Sequence, residues 1–442
     1  MPETINTSGK ESSDGRVHLS FAAGVDNRSH LTKLADGYVR EADNVEIDAR
    51  GIGRMRDGYQ LLRALPGAHS LWTHPLLTFA LVADGSALYR MDVDGTLTAL
   101  VHGLNGGRVS YAVIGQRVHW SNGVQTGRLD LSATPMTWGV PMPLPSFGVA
   151  AVANGGLFAG RYGITLTFGS ASGEEGGAPD AVYVDVPEGG GIQITGVPAD
   201  ASGTATEARV YVTPANGTEL FYAGSAMPGA SAFLVGAGSR TRVLTTQFCE
   251  PYPSATHLLA KSGRLFGALG RRLVWSRPMY YGLWHPTMDS MLLPDDITMI
   301  AAPDSSEFLL YVGTRKKVYL LMALRSMVSR GESLEKAELS VASAVGVIEG
   351  SMVMAPAEML RMQGVLTAVP LWVGTDGVPY AGTISGVMPM SSQFAYPVYD
   401  QAAAAVVQQN GLSRYIVSGR GGRASGLAMT DSATATVIEA GP

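Results

Sequence analysis

The chain has 442 residues, a formal net charge of −5 and only 16% charged side chains. That balance excludes a protein that holds nucleic acid by charge alone, which needs a basic face to displace phosphate counterions. With 46% apolar residues, 55 glycines and 24 prolines the composition fits a large folded β-protein with many tight turns, not a disordered chain.

Residues 1–40 read as a polar, turn-rich arm, with Phe21-Ala-Ala-Gly-Val-Asp26 and a short helix expected over His30–Ala35. Met1 to Ser20 contain no apolar stretch, so no secretory signal is expected, and no later run reaches the ~18 apolar residues of a membrane helix. Synthesis and folding in a cytosol follow as the expectation. An arm of this composition orders by lying on a partner or on another part of its own chain. Ala42 to Tyr59 then read as strand, Ala-Arg-Gly turn, strand. This segment is expected to supply outer strands that close a ring of sheets with the C-terminal residues up to Glu439.

From residue 77 onward a two-strand phrase recurs. Its copies are Leu77–Tyr89, Val109–Trp120, Arg264–Trp275, Glu307–Tyr319 and Pro370–Tyr380, with a weaker one at Ser413–Gly422. Each pairs alternating apolar residues around a turn such as Asp-Gly, Gly-Gln or Gly-Arg, the pattern of an antiparallel hairpin. Intervals such as Phe79 to Tyr111 and Phe266 to Leu309 approach the roughly 40 to 50 residues of a four-stranded propeller blade. The gap from Trp120 to Phe266 is too long for one blade. Within it, residues 161–168, 181–186, 191–195, 208–213, 219–223 and 232–235 alternate as strands, which suits a small fibronectin-type-III-like sandwich. The fold class expected is therefore all-β: a β-propeller of about six or seven blades, with residues 41–150 and 249–442 forming its two parts and an inserted β-sandwich over 151–248. A pair of unrelated β-sandwiches is the alternative. Met327 to Val347, rich in Glu and Lys, reads as a solvated loop or short helix.

Chemistry is sparse in the sequence. The single cysteine, Cys249, excludes an intrachain disulfide and a cysteine metal cluster. The histidines are scattered without helical zinc spacing, and Asp92-Val-Asp94-Gly95 lacks the later ligands of a calcium loop. A glycosidase needs two facing carboxylates, but Asp92, Asp94, Asp289 and Asp376 read most simply as turn residues. No catalytic residue, metal or cofactor is expected. Arg271, Arg272, Arg315, Lys316 and Lys317 sit in turns of the repeated hairpins, with Arg414, Arg420 and Arg423 near the last one. Equivalent turns of a propeller share a face, so these charges are candidates for an interface or lumen ring. Solvated, edge-protecting turns are the plainer reading.

The stretch Leu34-Ala-Asp-Gly-Tyr-Val-Arg-Glu-Ala-Asp-Asn-Val-Glu-Ile-Asp48, followed by Gly51-Ile-Gly-Arg-Met-Arg-Asp-Gly-Tyr59 and preceded by Gly24-Val-Asp-Asn27, resembles the N-terminal signature of short-tailed bacteriophage tail proteins. Glu46 stands where that family usually has Asp. Tyr211–Thr218 and Val274–Pro278 are similar to later phrases of the group. The resemblance implies a tail nozzle, also called a tail hub: a structural β-propeller virion protein, homohexameric, below a head-to-tail adaptor. It implies a role in retaining packaged DNA, anchoring fibres or a tip, and forming the channel for ejection. DNA would pass through the lumen without sequence-specific binding and the chain would not insert in membrane. A glycan-binding or glycan-cleaving propeller using Trp120, Trp275, Trp284 or Trp372, and a fibre anchor or other tail component, stay open as alternatives.

Overall fold

The computed structural model describes residues 21, 23–47, 52–55, 60–238, 240, 242–306, 309–322, 338–360, 365–409, 412–421 and 435–439. The chain is all-β, built from many small antiparallel sheets. It divides into two compact units, one of Met1–Ala64, Asp295–Leu324 and Ala337–Pro442, the other of Leu65–Pro294 and Arg325–Lys336.

The second unit holds three four-stranded meanders. Sheet I runs through Ala68–Trp72, Ala80–Asp84, Ala87–Met91 and Leu97–His102, and sheet II through Ser110–Ile114, Arg117–Ser121, Thr126–Asp130 and Pro135–Met136. Sheet III comprises Thr256–Lys261, Arg264–Leu269, Arg272–Trp275 and Ser290–Leu292. The first unit continues the series. Sheet IV comprises Ile297–Ala301, Leu309–Thr314, Val318–Met322 and Glu338–Ser343; sheet V, Val353–Ala355, Val369–Val373, Pro379–Thr383 and Gly386–Pro389. Sheet VI has three strands among the described residues, Gln401–Gln409, Leu412–Arg420 and Ala435–Glu439.

Within each unit, consecutive sheets bury their faces against one another. Leu81 and Leu88 of sheet I share a core with Val118, Trp120 and Leu129 of sheet II. The opposite face of sheet II, through Ala112, meets Leu265 and Val274 of sheet III. Tyr311 of sheet IV packs with Trp372 of sheet V, and Leu371 and Val373 of sheet V with Tyr415 and Val417 of sheet VI. Trp120, Trp275, Trp284 and Trp372 are all buried.

A repeated latch joins the first strands of neighbouring sheets. Ser70, held at φ 57° beside a register shift in the first strand of sheet I, accepts a hydrogen bond from the Val109 N–H at 2.8 Å. Ser110, opening sheet II, accepts one from the Leu258 N–H of sheet III at 2.6 Å, next to a second register shift. At Leu258 the bulge frees a backbone donor from its own ladder and the serine of the preceding sheet takes it up, whereas at Ser70 the bulge lies on the strand that accepts.

Two further sheets lie between II and III. Gly148–Leu157, Gly190–Thr195 and Ala232–Val235 form one; Val182–Val186, Gly160–Ser170, Ala205–Val212 and Phe221–Ala226, in that spatial order, form the other. They enclose a single core that includes Leu157, Ile164, Leu166, Ile192, Ile194 and Val210. The first strand escapes recognition by alternation because Gly and Ala fill it.

Four expectations need correction. The phrase Val109–Trp120 is the first and second strands of its sheet, whereas the copies in sheets I, III, IV and V span the second and third, so Phe79 to Tyr111 measures less than one repeat. The helix expected at 30–35 is a single 3-10 turn, Leu31–Lys33. Val45–Ile47 and Gly53–Met55 pair with each other, and Ala435–Glu439 pairs with Leu412–Arg420, so the closing pair between hairpin and C-terminus is not formed among the described residues. The segment read as a loop over 327–347 enters a strand at Glu338, because its alternating Leu339 and Val341 continue sheet IV; Glu332, Glu335 and Lys336 lie outside the described residues, as do residues 1–20 of the arm.

The described part of the arm lies on its own chain. Gly24–Val25 pairs in parallel with Tyr38–Val39, and the Asn27 amide both donates to the Ala395 carbonyl at 2.7 Å and accepts from its N–H at 2.9 Å. The Asn27 and Arg28 N–H groups donate to the Gln393 carbonyl.

Replacing Ser110 by Ala strands the partly buried Leu258 N–H. The expected cost is about 1–3 kcal/mol of unfolding free energy, read as a lower denaturant midpoint with an unchanged slope.

Candidate functional site

The five basic residues singled out from the sequence are all exposed. Arg271 occupies the two-residue turn between the second and third strands of sheet III, behind Gly270 at φ 57°, and Arg272 begins the third strand opposite Leu292. Arg315, Lys316 and Lys317 form the corresponding turn of sheet IV, pinned by Thr314 Oγ1, which accepts from the Lys316 and Lys317 N–H groups. Two of these three charges are engaged nearby: Lys316 Nζ meets Asp295 at 2.5 Å, and Arg315 donates to the Asp400 carbonyl at 3.3 Å. Arg414 is buried in the second strand of sheet VI, Arg420 is exposed at its end, and Arg423 lies outside the described residues.

The buried charges cluster instead around sheet III and the root of the inserted sandwich. Asp289, only 1% exposed, accepts from Trp275 Nε1 at 3.0 Å on one oxygen and from the His285 N–H at 2.8 Å on the other. Arg264, 2% exposed, and Arg277 approach the same carboxylate at 3.9 and 3.6 Å. Asp289 is thus not a simple turn residue. It fixes the connection between the third and fourth strands of sheet III, where burial of Trp275 forces the indole N–H to find an acceptor. Asp92, Asp94 and Asp376 do serve turns, holding Arg90, the Thr96 N–H and the Val378 N–H respectively.

Glu175 is the second buried acceptor. Thr167 Oγ1 and the Tyr211 hydroxyl each donate to it at 2.6 Å, Arg209 pairs with it at 3.0 Å, and Arg242 closes the set. Adjacent Glu174 reaches out of the sandwich to the nearly buried Arg128 of sheet II in a two-pronged pair at 2.5 and 3.1 Å. Gly177 follows, so close to the returning chain that a Cβ would stand 1.6 Å from the Cys249 carbonyl oxygen. Ala178 then exchanges backbone hydrogen bonds with Thr246 and Phe248. The run Glu174-Glu-Gly-Gly-Ala178 therefore clamps the sandwich to the sheet before it and to the strand leaving it. Alternation does not reveal this; the signal was two acidic residues inside a glycine-rich turn, where nothing local requires charge.

His119 lies across from Arg128 in sheet II, its ring edge-on to Trp138 at 5.0 Å. Burial, aided by the Arg128 charge, pulls its pKa down to about 3, so the imidazole is neutral. Burial also raises the Cys249 thiol to about 11, which makes it a poor nucleophile. Asp289 and Glu175 are surrounded by fixed donors, an arrangement that holds the backbone in place. Among the described residues no three His, Cys, Asp or Glu side chains gather to hold a metal ion, and no helix is long and apolar enough to cross a membrane.

No family model and no curated protein matches the chain. Among solved structures, a streptogramin B lyase superposes with a TM-score of 0.32 at 10% identity, over 79% of this chain and 90% of that one. The N-terminal domain of Nup159 gives 0.28 at 10% identity, over 80% and 73%. PorZ of Porphyromonas gingivalis gives 0.24 at 12% identity, over 89% of this chain and 55% of PorZ. Likeness at these scores is loose.

Replacing Asp289 by Ala is expected to cost about 3–5 kcal/mol, since it leaves buried Arg264 and the Trp275 N–H uncompensated. Denaturant unfolding measures the loss, and faster labelling of Cys249 by a thiol reagent reports the local opening. His119 predicts an acid window. Its folded pKa of about 3 lies below the 6.5 of the free side chain, so stability is complete above 6.5 and falls as the unfolded chain takes up the proton between about 6.5 and 3. His119→Phe should remove on the order of 1–2 kcal/mol of that loss by pH 5, seen by comparing urea midpoints at pH 7 and pH 5.

Proposed function

We propose that the chain is a structural subunit of a short-tailed phage tail nozzle. In this reading sheets I to VI close into one six-bladed β-propeller, the seven-stranded insertion is a fibronectin-type-III-like module, and six copies form a ring below the head-to-tail adaptor. The observation that carries it is the arm: Gly24–Asn27 and Val45–Met55, the residues that bear the resemblance, form a docked segment and a return hairpin outside the six meanders. Further support comes from consecutive sheets that share cores within each unit and from buried charges spent on fixed donors. Such sheets make a rigid wall with short edges, and a chain of net charge −5 lets DNA slide without counterion-releasing adhesion. Arg271, Arg272, Arg315, Lys316 and Lys317 are then turn residues available to a neighbouring subunit or to the lumen. The clamped sandwich is a fixed bracket for a neighbouring subunit, fibre or tip protein. The work is mechanical and needs no cofactor, and the site of action is the virion tail.

Light scattering and electron-microscopic class averages of the purified chain, alone and with the adaptor, test the reading. A six-fold ring with an open channel is expected. A persistent monomer in both samples overturns it.

A further inference from the structure

The two sheets of the inserted sandwich are joined by a short turn at Phe158, between Gly148–Leu157 and Gly160–Ser170. The backbone of this turn is tied on both sides. The Tyr162 hydroxyl donates to the Phe158 carbonyl at 2.9 Å, the Ala159 N–H to Glu188 at 2.8 Å, and the Gly189 N–H to the Leu157 carbonyl. The phenyl ring on it is nevertheless 75% exposed. Val182–Val186 pairs with the start of the second of these strands and turns Tyr183 and Asp185 outward, Tyr183 being 51% exposed. The Tyr183 ring lies over Gly163, where a Cβ would stand 2.9 Å from it, and the Arg161 guanidinium covers the ring at 4.6 Å. Two aromatic rings are thus displayed on ordered backbone, which is how an interface anchor loses little entropy on docking.

The charge around these rings is acidic. Residues 148–246 contain no lysine. Asp185 is exposed on the face that carries Tyr183, Glu188 is exposed beside the turn at Phe158, and Asp180 and Glu219 are exposed elsewhere on the module. Its arginines are engaged within it: Arg161 on Tyr183, Arg209 and Arg242 on Glu175, and Arg240 on the carbonyls of Thr213 and Gly236. The outward surface is therefore a pair of rings with a carboxylate rim. Its chemical counterpart is a guanidinium group set beside an apolar side chain.

The same chain carries that counterpart. Arg271 and Arg272 are exposed at the turn of sheet III, and the cross-strand row Leu269, Arg272, Leu292 sets Leu292, 56% exposed, directly opposite Arg272. Within one chain both surfaces face solvent. We infer that the Phe158–Tyr183 end of the sandwich in one copy docks on the Arg271–Arg272 turn and Leu292 of sheet III in the next copy. Arginine suits both halves of the acidic surface, since its planar head stacks on an aromatic face and forks onto a carboxylate. Contact between two different patches of one chain is a head-to-tail interface, the kind that generates a ring when its rotation closes. This inference rests on the ring reading above and names a surface through which the subunits of that ring meet.

The test uses full-length chains. Phe158→Ala should weaken self-association roughly tenfold or more with an unchanged urea midpoint, since the ring it removes is exposed. Asp185→Lys and Arg272→Glu should each weaken association, and the chain carrying both should regain it. Ala159→Cys in a tagged, larger chain and Pro294→Cys in an untagged one, mixed and treated with a short bismaleimide, should give a product of one large and one small chain; buried Cys249 stays silent. Single variants that associate as well as the unaltered chain overturn the docking. Six-fold rings that form without the two-chain product, and in which Ala159→Cys still takes a thiol reagent, also overturn it: the tip then serves a partner other than a second copy, and the ring reading stands. Monomers alone from the unaltered chain overturn both.

Discussion

A four-stranded antiparallel meander has two faces, and in sheets IV and V of this chain both faces of the inner strands are buried. Leu309–Thr314, Val369–Val373 and Ile297–Ala301 are buried at every position, so none of these strands has a side to turn toward water. Such a sheet cannot stand by itself; each must be covered twice, and the neighbour that covers it has the same need. Burial of the second face is the constraint from which the rest follows. It explains why sheets I to III and IV to VI come in stacked series, and why the connection from sheet I to sheet II is held at Gly103 and Asn105 by Gln125 and Asn122 of the turn in sheet II.

Close stacking also explains where charge is tolerated in the interior. An isolated buried carboxylate is costly, and one surrounded by fixed donors is not. Asp289 and Glu175 occupy two of the places where the chain departs from the meander: the long connection inside sheet III and the root of the sandwich. At each the backbone has left the regular ladder, and a carboxylate with several lone pairs collects the N–H and O–H groups that the ladder no longer serves.

That division decides what the sequence made legible. Alternation around Gly-Arg or Asp-Gly located the second and third strands of four sheets, since a hairpin turn imposes local residue choices. It misplaced the phase of Val109–Trp120, because a Gly-Gln turn with both residues at positive φ, Gly115 and Gln116, looks the same wherever it falls in a meander. The first strands, bulged at Ser70 and His257, blur the two-residue period and were hard to see. The exposed basic turns, Arg271–Arg272 and Arg315–Lys317, were easy to find because charge stands out where only 16% of side chains carry it. Glu175 and Arg128 were not, for their ion-pair partners Arg209 and Glu174 lie far away along the chain, and Asp289 stood out as a residue but not as the acceptor for Trp275 and His285. Asn27 illustrates the same limit: its place in a motif was visible, its two-way bond to Ala395 was not.

The serine latches differ in one respect that bears on how the chain comes to be folded. Val109 and Ser70 stand 39 residues apart, whereas Leu258 and Ser110 are separated by 148, because the whole sandwich intervenes. Closing a longer loop costs little more equilibrium free energy but slows the search for partners. Sheets I and II can zip together while the ribosome is still making the insertion. The second face of sheet II then stays uncovered until sheet III emerges, after the insertion whose ends meet through Ala178, Thr246 and Phe248. The length of the insertion therefore adds to the loop that must close before sheet III can cover sheet II.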